Sequence, residues 1–107
     1  MTMAIEPMNF LAGIEALGSH IEGWKLDAEP PHDADRFHRT WVPFVRPFRG
    51  LPLVHLGISG FDIDDRDAAR VTVSAADVSS EGFTIVLRTW FNTRIWRVDV
   101  NWLALGA

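Results

Sequence analysis

The side chains best equipped for chemistry lie near the end of this chain. In its closing stretch, TWFNTRIWRVDVNWLALGA, Trp90, Trp96 and Trp102 fall at even spacing, and alternation along a strand sends even positions to one face. Indoles so arranged either fill a core or form a surface that touches another molecule. Two acidic stretches suggest other chemistry. PHDADRFH holds His32, Asp33, Asp35 and His38, but nothing in it fixes a coordination geometry, and a solvated loop is the simpler reading. FDIDDRD holds Asp62, Asp64, Asp65 and Asp67; it lacks the glycine and terminal glutamate of an EF-hand loop and reads as a polar connection. There is no cysteine, no tyrosine, no Gly-x-Ser-x-Gly and no phosphate-cradling glycine loop. The chain is therefore read as a non-enzyme with no cofactor and no metal.

These residues must be positioned by one small domain. A length of 107 residues allows a single core that buries roughly 65% of the unfolded surface. The absence of cysteine removes disulfides and zinc–thiolate sites, and a small fold without such staples often gains stability by oligomerising. A net charge of −4 argues against nucleic acid, whose phosphates demand a basic face. The first basic residue is Lys25, so the opening segment is a poor secretory signal, and no apolar run reaches the ~18 residues of a membrane span. The expectation is a soluble product without a classical signal peptide, extracellular or particle-associated by a non-classical route.

Residues 1–23 read as an N-terminal extension. Phe10, Leu11, Ile14 and Leu17 have helical spacing, but Gly13 and Gly18 weaken a helix, and a short strand fits equally. From Trp24 to Arg39 the text is loop-like, with a Pro-Pro pair and little periodicity. After Thr40 the pattern is β. TWVPFVRPF is extended, LPLVHLGIS is an apolar run suited to a strand buried on both sides, and FDIDDRDA connects. ARVTVSAADV alternates Val71, Val73 and Ala75 against Arg70, Thr72 and Ser74. SSEGFTIVLRTW puts Phe83, Ile85 and Leu87 on one face, FNTR reads as a hairpin turn, and RIWRVDVNWLALG alternates Trp96, Val98, Val100, Trp102 and Ala104 against Arg97, Asp99 and Asn101. Short strands with turns at this interval indicate an antiparallel sandwich or barrel. Trp102 lies among core positions, whereas Trp90 and Trp96 flank the turn, where a partly buried indole can still present an edge.

Residues 24–107 resemble the H-type lectin domain of snail agglutinins and the carboxyl-terminal part of discoidins. The resemblance rests on the aromatic and proline-containing strand Phe44–Pro52, the Arg70–Val71 strand start, Gly82–Phe83 after a turn, the Thr-Trp-Phe-Asn-Thr motif Thr89–Thr93, and Trp102–Ala104. It implies an all-β, six-stranded antiparallel β-sandwich that forms a homotrimer. It also implies binding of glycans of the galactose or N-acetylgalactosamine type in shallow, metal-independent sites between protomers.

The family's binding residues fall on Arg70, Trp90, Phe91 and Trp96, with a loop carboxylate on Asp33, or on Asp35 if the register differs. Two departures stand out: Phe91 replaces a histidine and Trp96 a tyrosine of the snail pattern. Arginine and aspartate would supply charge-assisted hydrogen bonds to sugar hydroxyls, and the indoles a platform for a sugar's C–H face. Three weak sites on a trimer would gain by multivalency. The competing expectation is a trimerising assembly module of a larger, phage-like particle that has lost sugar binding, with residues 1–23 docking a partner.

Overall fold

The computed structural model describes residues 8–29 and 34–107. The strands are β1 (Asn9–Gly18), β2 (Arg36–Pro43), β3 (Leu53–Ile63), β4 (Thr72–Ala76), β5 (Gly82–Thr89) and β6 (Ile95–Gly106). They form two three-stranded sheets of order β1-β6-β3 and β2-β5-β4, with antiparallel pairing throughout. This is the six-stranded antiparallel sandwich that the resemblance implies, and of the sandwich or barrel left open by the alternation it is the sandwich.

Of the two forms open to the N-terminal segment, residues 9–18 take the strand. β1 pairs with β6 from Asn9↔Gly106 to Gly18↔Arg97, so it is a full member of the sheet. Leu17 is buried and Leu11 packs against the core, while Phe10 and Ile14 face outward, exposed to 58% and 69%. Gly13 sits opposite Trp102, and a Cβ there would lie 2.7 Å from the indole. The glycine that weakens a helix is thus what lets the strand lie under a large ring.

β2 begins at Arg36, inside the stretch read as loop. Its inward side chains are Arg36, His38 and Val42, and the two polar ones hide the usual alternation. The extended stretch ends at Pro43 rather than continuing through Phe48. Phe44 and Phe48 still plug the sandwich from the connection, in edge-on contact at 5.1 Å. β3 runs on to Ile63 and leaves Leu53 and Phe61 exposed, so it is not the doubly buried strand the apolar run suggested.

The core is where the two central strands face each other. Phe83, Ile85 and Leu87 of β5 meet Val98, Val100, Trp102 and Ala104 of β6, and the Trp102 ring lies edge-on to Phe83 at 5.4 Å. Burying a Val, Leu, Ile or Phe side chain contributes about 1.5–3 kcal/mol, which makes this face the main driving force of the fold.

His38 adds a pH dependence. Its ring lies 5.0 Å from that of Trp24, and burial pushes its pKa below the ordinary 6.5. A folded-state value below the unfolded one means stability is full above the unfolded pKa and declines as pH falls through the folded one. Thermal melts should therefore show a falling melting temperature from about pH 7 to pH 5. His38→Leu should flatten that slope; an unchanged slope would assign the effect elsewhere.

Candidate functional site

Trp90, Phe91, Trp96 and Arg70 all lie at one end of the sandwich, around the segment from 90 to 94. This segment is not a hairpin. β5 pairs only with β2 and β4, and β6 only with β1 and β3, so FNTR is an arch that carries the chain from one sheet to the other. At its top Phe91 takes a left-handed conformation, φ 56°, an uncommon state for a bulky residue. Its ring is 49% exposed.

Three buried side chains hold the arch. Arg36, only 5% exposed, donates from Nη2 to the carbonyls of Phe91 at 2.7 Å and Thr93 at 3.0 Å, and from Nη1 to that of Leu26 at 3.3 Å. Burial lowers its pKa, partly offset by the charge of Asp27. Thr89 donates from Oγ1 to the Arg70 carbonyl. Thr93 donates to the Ala68 carbonyl at 2.6 Å and accepts from Arg70 Nη1 at 3.0 Å. Both threonines of the Thr-Trp-Phe-Asn-Thr motif thus anchor the segment that presents Arg70. Arg36, Thr89 and Thr93 were not singled out from sequence, although the motif contains two of them.

Each outward-facing aromatic of the site carries its own arginine. The Arg70 guanidinium lies 5.1 Å from the Phe91 ring centre and 3.5 Å from an Asp67 oxygen. Arg88 lies 4.4 Å from the Trp90 ring and is ion-paired to Asp35 at 2.6 Å. Arg94 lies 4.6 Å from the Trp96 ring and donates from Nε to the Asp27 carbonyl at 2.9 Å. Cation–π contacts at exposed sites contribute ~0.5–1 kcal/mol each, enough to orient rings that water would otherwise leave free.

The structure does not build one platform from Trp90 and Trp96. Trp90 continues the outward positions of β5 in one sheet. Trp96 belongs to the other sheet and is turned out by a bulge: Asp62 pairs with Arg97 and Ile63 with Ile95, which skips Trp96. Ile95 takes the inward place with no exposure, and Trp96 is 36% exposed. Trp96 therefore leaves the face it was expected to share with Val98 and Trp102, while Trp102 is buried as expected. Asp33 lies outside the described residues, and Asp35 is engaged with Arg88.

The chain is thus an all-β sandwich whose inter-sheet arch displays arginine-backed aromatic rings beside carboxylates. The H-type lectin domain model matches residues 39–105, and the chain belongs to that family. The match runs from β2 through β6 and leaves β1 outside it. A protein of Fuscovulum blasticum named "ATP synthase subunits region ORF 7" is 40% identical over 72 residues, 67% of this chain and 63% of that protein. Two solved structures of discoidin II from Dictyostelium discoideum, the recombinant protein in its native form and the wild type, superpose with TM-scores of 0.79 at 17% identity. They cover 99% of this chain but only 40% and 39% of those chains, and at that identity they establish the fold. Family and fold together support a carbohydrate-binding module. Among the described residues no helix is long and apolar enough to cross a membrane.

Proposed function

We propose that this protein binds glycans ending in galactose or N-acetylgalactosamine, without metal and without catalysis, through shallow sites between the protomers of a homotrimer. The observation that carries the reading is Arg70, fixed by Thr93 and Asp67 and laid against the exposed Phe91 ring. A guanidinium held this way donates charge-assisted hydrogen bonds to hydroxyls with little entropy left to lose, and Phe91 and Trp90 offer apolar faces for a sugar ring. Trp96, and a carboxylate from Asp33, would complete the site from its far side or from a neighbouring protomer.

The test is a glycan array followed by titration calorimetry. Arg70→Ala and Trp90→Ala should each weaken binding about tenfold or more, equivalent to ~1.4 kcal/mol, with little change in melting temperature. Light scattering should give three times the 12.0 kDa chain mass. A well-folded protein silent on every galactose-type glycan would sink the reading. It would favour the second one, an assembly module, for which the specific observation is the half-exposed apolar Phe91 at a position that would otherwise contact a hydroxyl.

A further inference from the structure

Beside the arch lies a cavity of about 370 Å³ lined by Glu29, Asp64, Arg66, Asp67, Asn92 and Arg94. Its size is at the small end of the ~300–1,000 Å³ usual for small-molecule sites. Among the described residues none assigned to sugar binding lines it, yet it adjoins them in three ways. Asp67 lines the cavity and faces Arg70 at 3.5 Å. Asn92 follows Phe91 in the chain, and Arg94 lines the cavity while its guanidinium lies against Trp96.

The lining decides what fits. Arg66 forks onto Asp64 through Nε, at 2.9 and 3.1 Å, and through Nη2. Those hydrogen bonds hold the Asp64 carboxyl well below the usual carboxylate range, so both partners stay ionised at neutral pH. Asp67 Oδ1 takes the Ala68 N–H at 2.7 Å. Carboxylates near guanidinium groups are poorly disposed to a metal cation, whose charge the arginines oppose. Three carboxylates against two guanidinium groups leave the cavity net negative, which repels phosphate and acidic sugars. A neutral polyhydroxylated ring suits it, because each hydroxyl both donates and accepts and the wall carries both acceptors and donors.

We propose that this cavity is a second saccharide subsite, taking the neutral pyranose next to the sugar held at Arg70 and Phe91, so that the chain reads a disaccharide rather than a monosaccharide. The proposal rests on the glycan-binding reading above and adds the subsite to it. Two contacting hydroxyls would raise affinity about tenfold over the single sugar.

The experiment is an amide-resolved NMR titration of the whole protein. N-acetylgalactosamine is compared with a set of neutral disaccharides ending in galactose or N-acetylgalactosamine, and with one sialylated disaccharide. Both the monosaccharide and the best neutral disaccharide should shift amides at 70 and 90–93, and only the disaccharide should also shift those at 64–68. Glu29→Gln, checked for unchanged melting temperature, should bring disaccharide affinity down to the monosaccharide level and leave the monosaccharide untouched. If every neutral disaccharide binds no tighter than the monosaccharide and the 64–68 amides stay still, the subsite is wrong and the lectin reading stands. A sialylated ligand that binds tighter than the neutral set overturns the neutral-ring assignment. If no sugar shifts any amide, the lectin reading falls and takes the subsite with it.

Discussion

Arg36→Met is expected to lower the melting temperature by about 12–24 °C and to abolish glycan binding without touching a ligand. The substitution keeps the length of the side chain and removes every donor. The carbonyls of Leu26, Phe91 and Thr93 then lose a charged hydrogen-bond partner inside the protein. A buried acceptor left unsatisfied costs about 1–3 kcal/mol. Against this, the variant no longer desolvates a guanidinium, a saving that burial makes real here. A net loss of about 3 kcal/mol is the balance, and for a domain near this size each kcal/mol moves the midpoint by about 4–8 °C. The binding loss has a different origin. The arch holds Phe91 at positive φ, and without Arg36 the Phe91 and Thr93 carbonyls lose the guanidinium that ties them together, so the Phe91 ring that lies against Arg70 is no longer held in place. Arg36→Lys separates charge from geometry: an ammonium keeps the charge but cannot span all three carbonyls as the planar fork does, so an intermediate melting temperature is expected. A melting temperature within ~2 °C of the native protein for Arg36→Met would show that the arch stands without it.

What could be read from the sequence follows from where neighbours come from. β4, β5 and β6 were legible because their apolar positions alternate and their inward faces meet each other. β2 was missed at its start because Arg36 and His38 point inward, and their reason for doing so lies in Leu26, Phe91, Thr93 and Trp24, far along the chain. β1 was ambiguous because Phe10, Leu11, Ile14 and Leu17 fit either period, and pairing with β6 decided the matter. Arg70, Trp90, Phe91 and Trp96 do gather at one end of the fold. Their mutual arrangement was not visible. A turn between two alternating strands looks the same whether it closes a hairpin or crosses between sheets. A bulge at Trp96 cannot be seen either when Ile95 beside it is equally apolar.

The even-spaced tryptophans therefore divide sharply, and the division can be measured. Trp102→Ala is expected to cost about 3–5 kcal/mol, because its ring packs against Phe44 and Phe83 and over Gly13 of β1. Trp90→Ala and Trp96→Ala should each cost about 1 kcal/mol, mostly the loss of a surface cation–π contact. The decisive variant pairs Trp102 with the glycine beneath it. A methyl group at Gly13 would meet Cε2, Nε1 and Cζ2 of the indole at 2.7–2.8 Å, so Gly13→Ala in the native protein should destabilise by ~1–3 kcal/mol, the usual penalty for overpacking. Phenylalanine lacks the fused ring that brings those atoms over Gly13. It also removes an indole N–H that has no hydrogen-bond partner among the described residues, so Trp102→Phe alone should cost less than its lost area suggests. In the double variant the new methyl fills part of the space the indole left. Urea unfolding of the four proteins should then give a coupling of about 1 kcal/mol or more in the favourable direction. Simple additivity would mean that β1 can shift to accommodate a side chain at position 13, and that the indole does not set the spacing between β1 and β6.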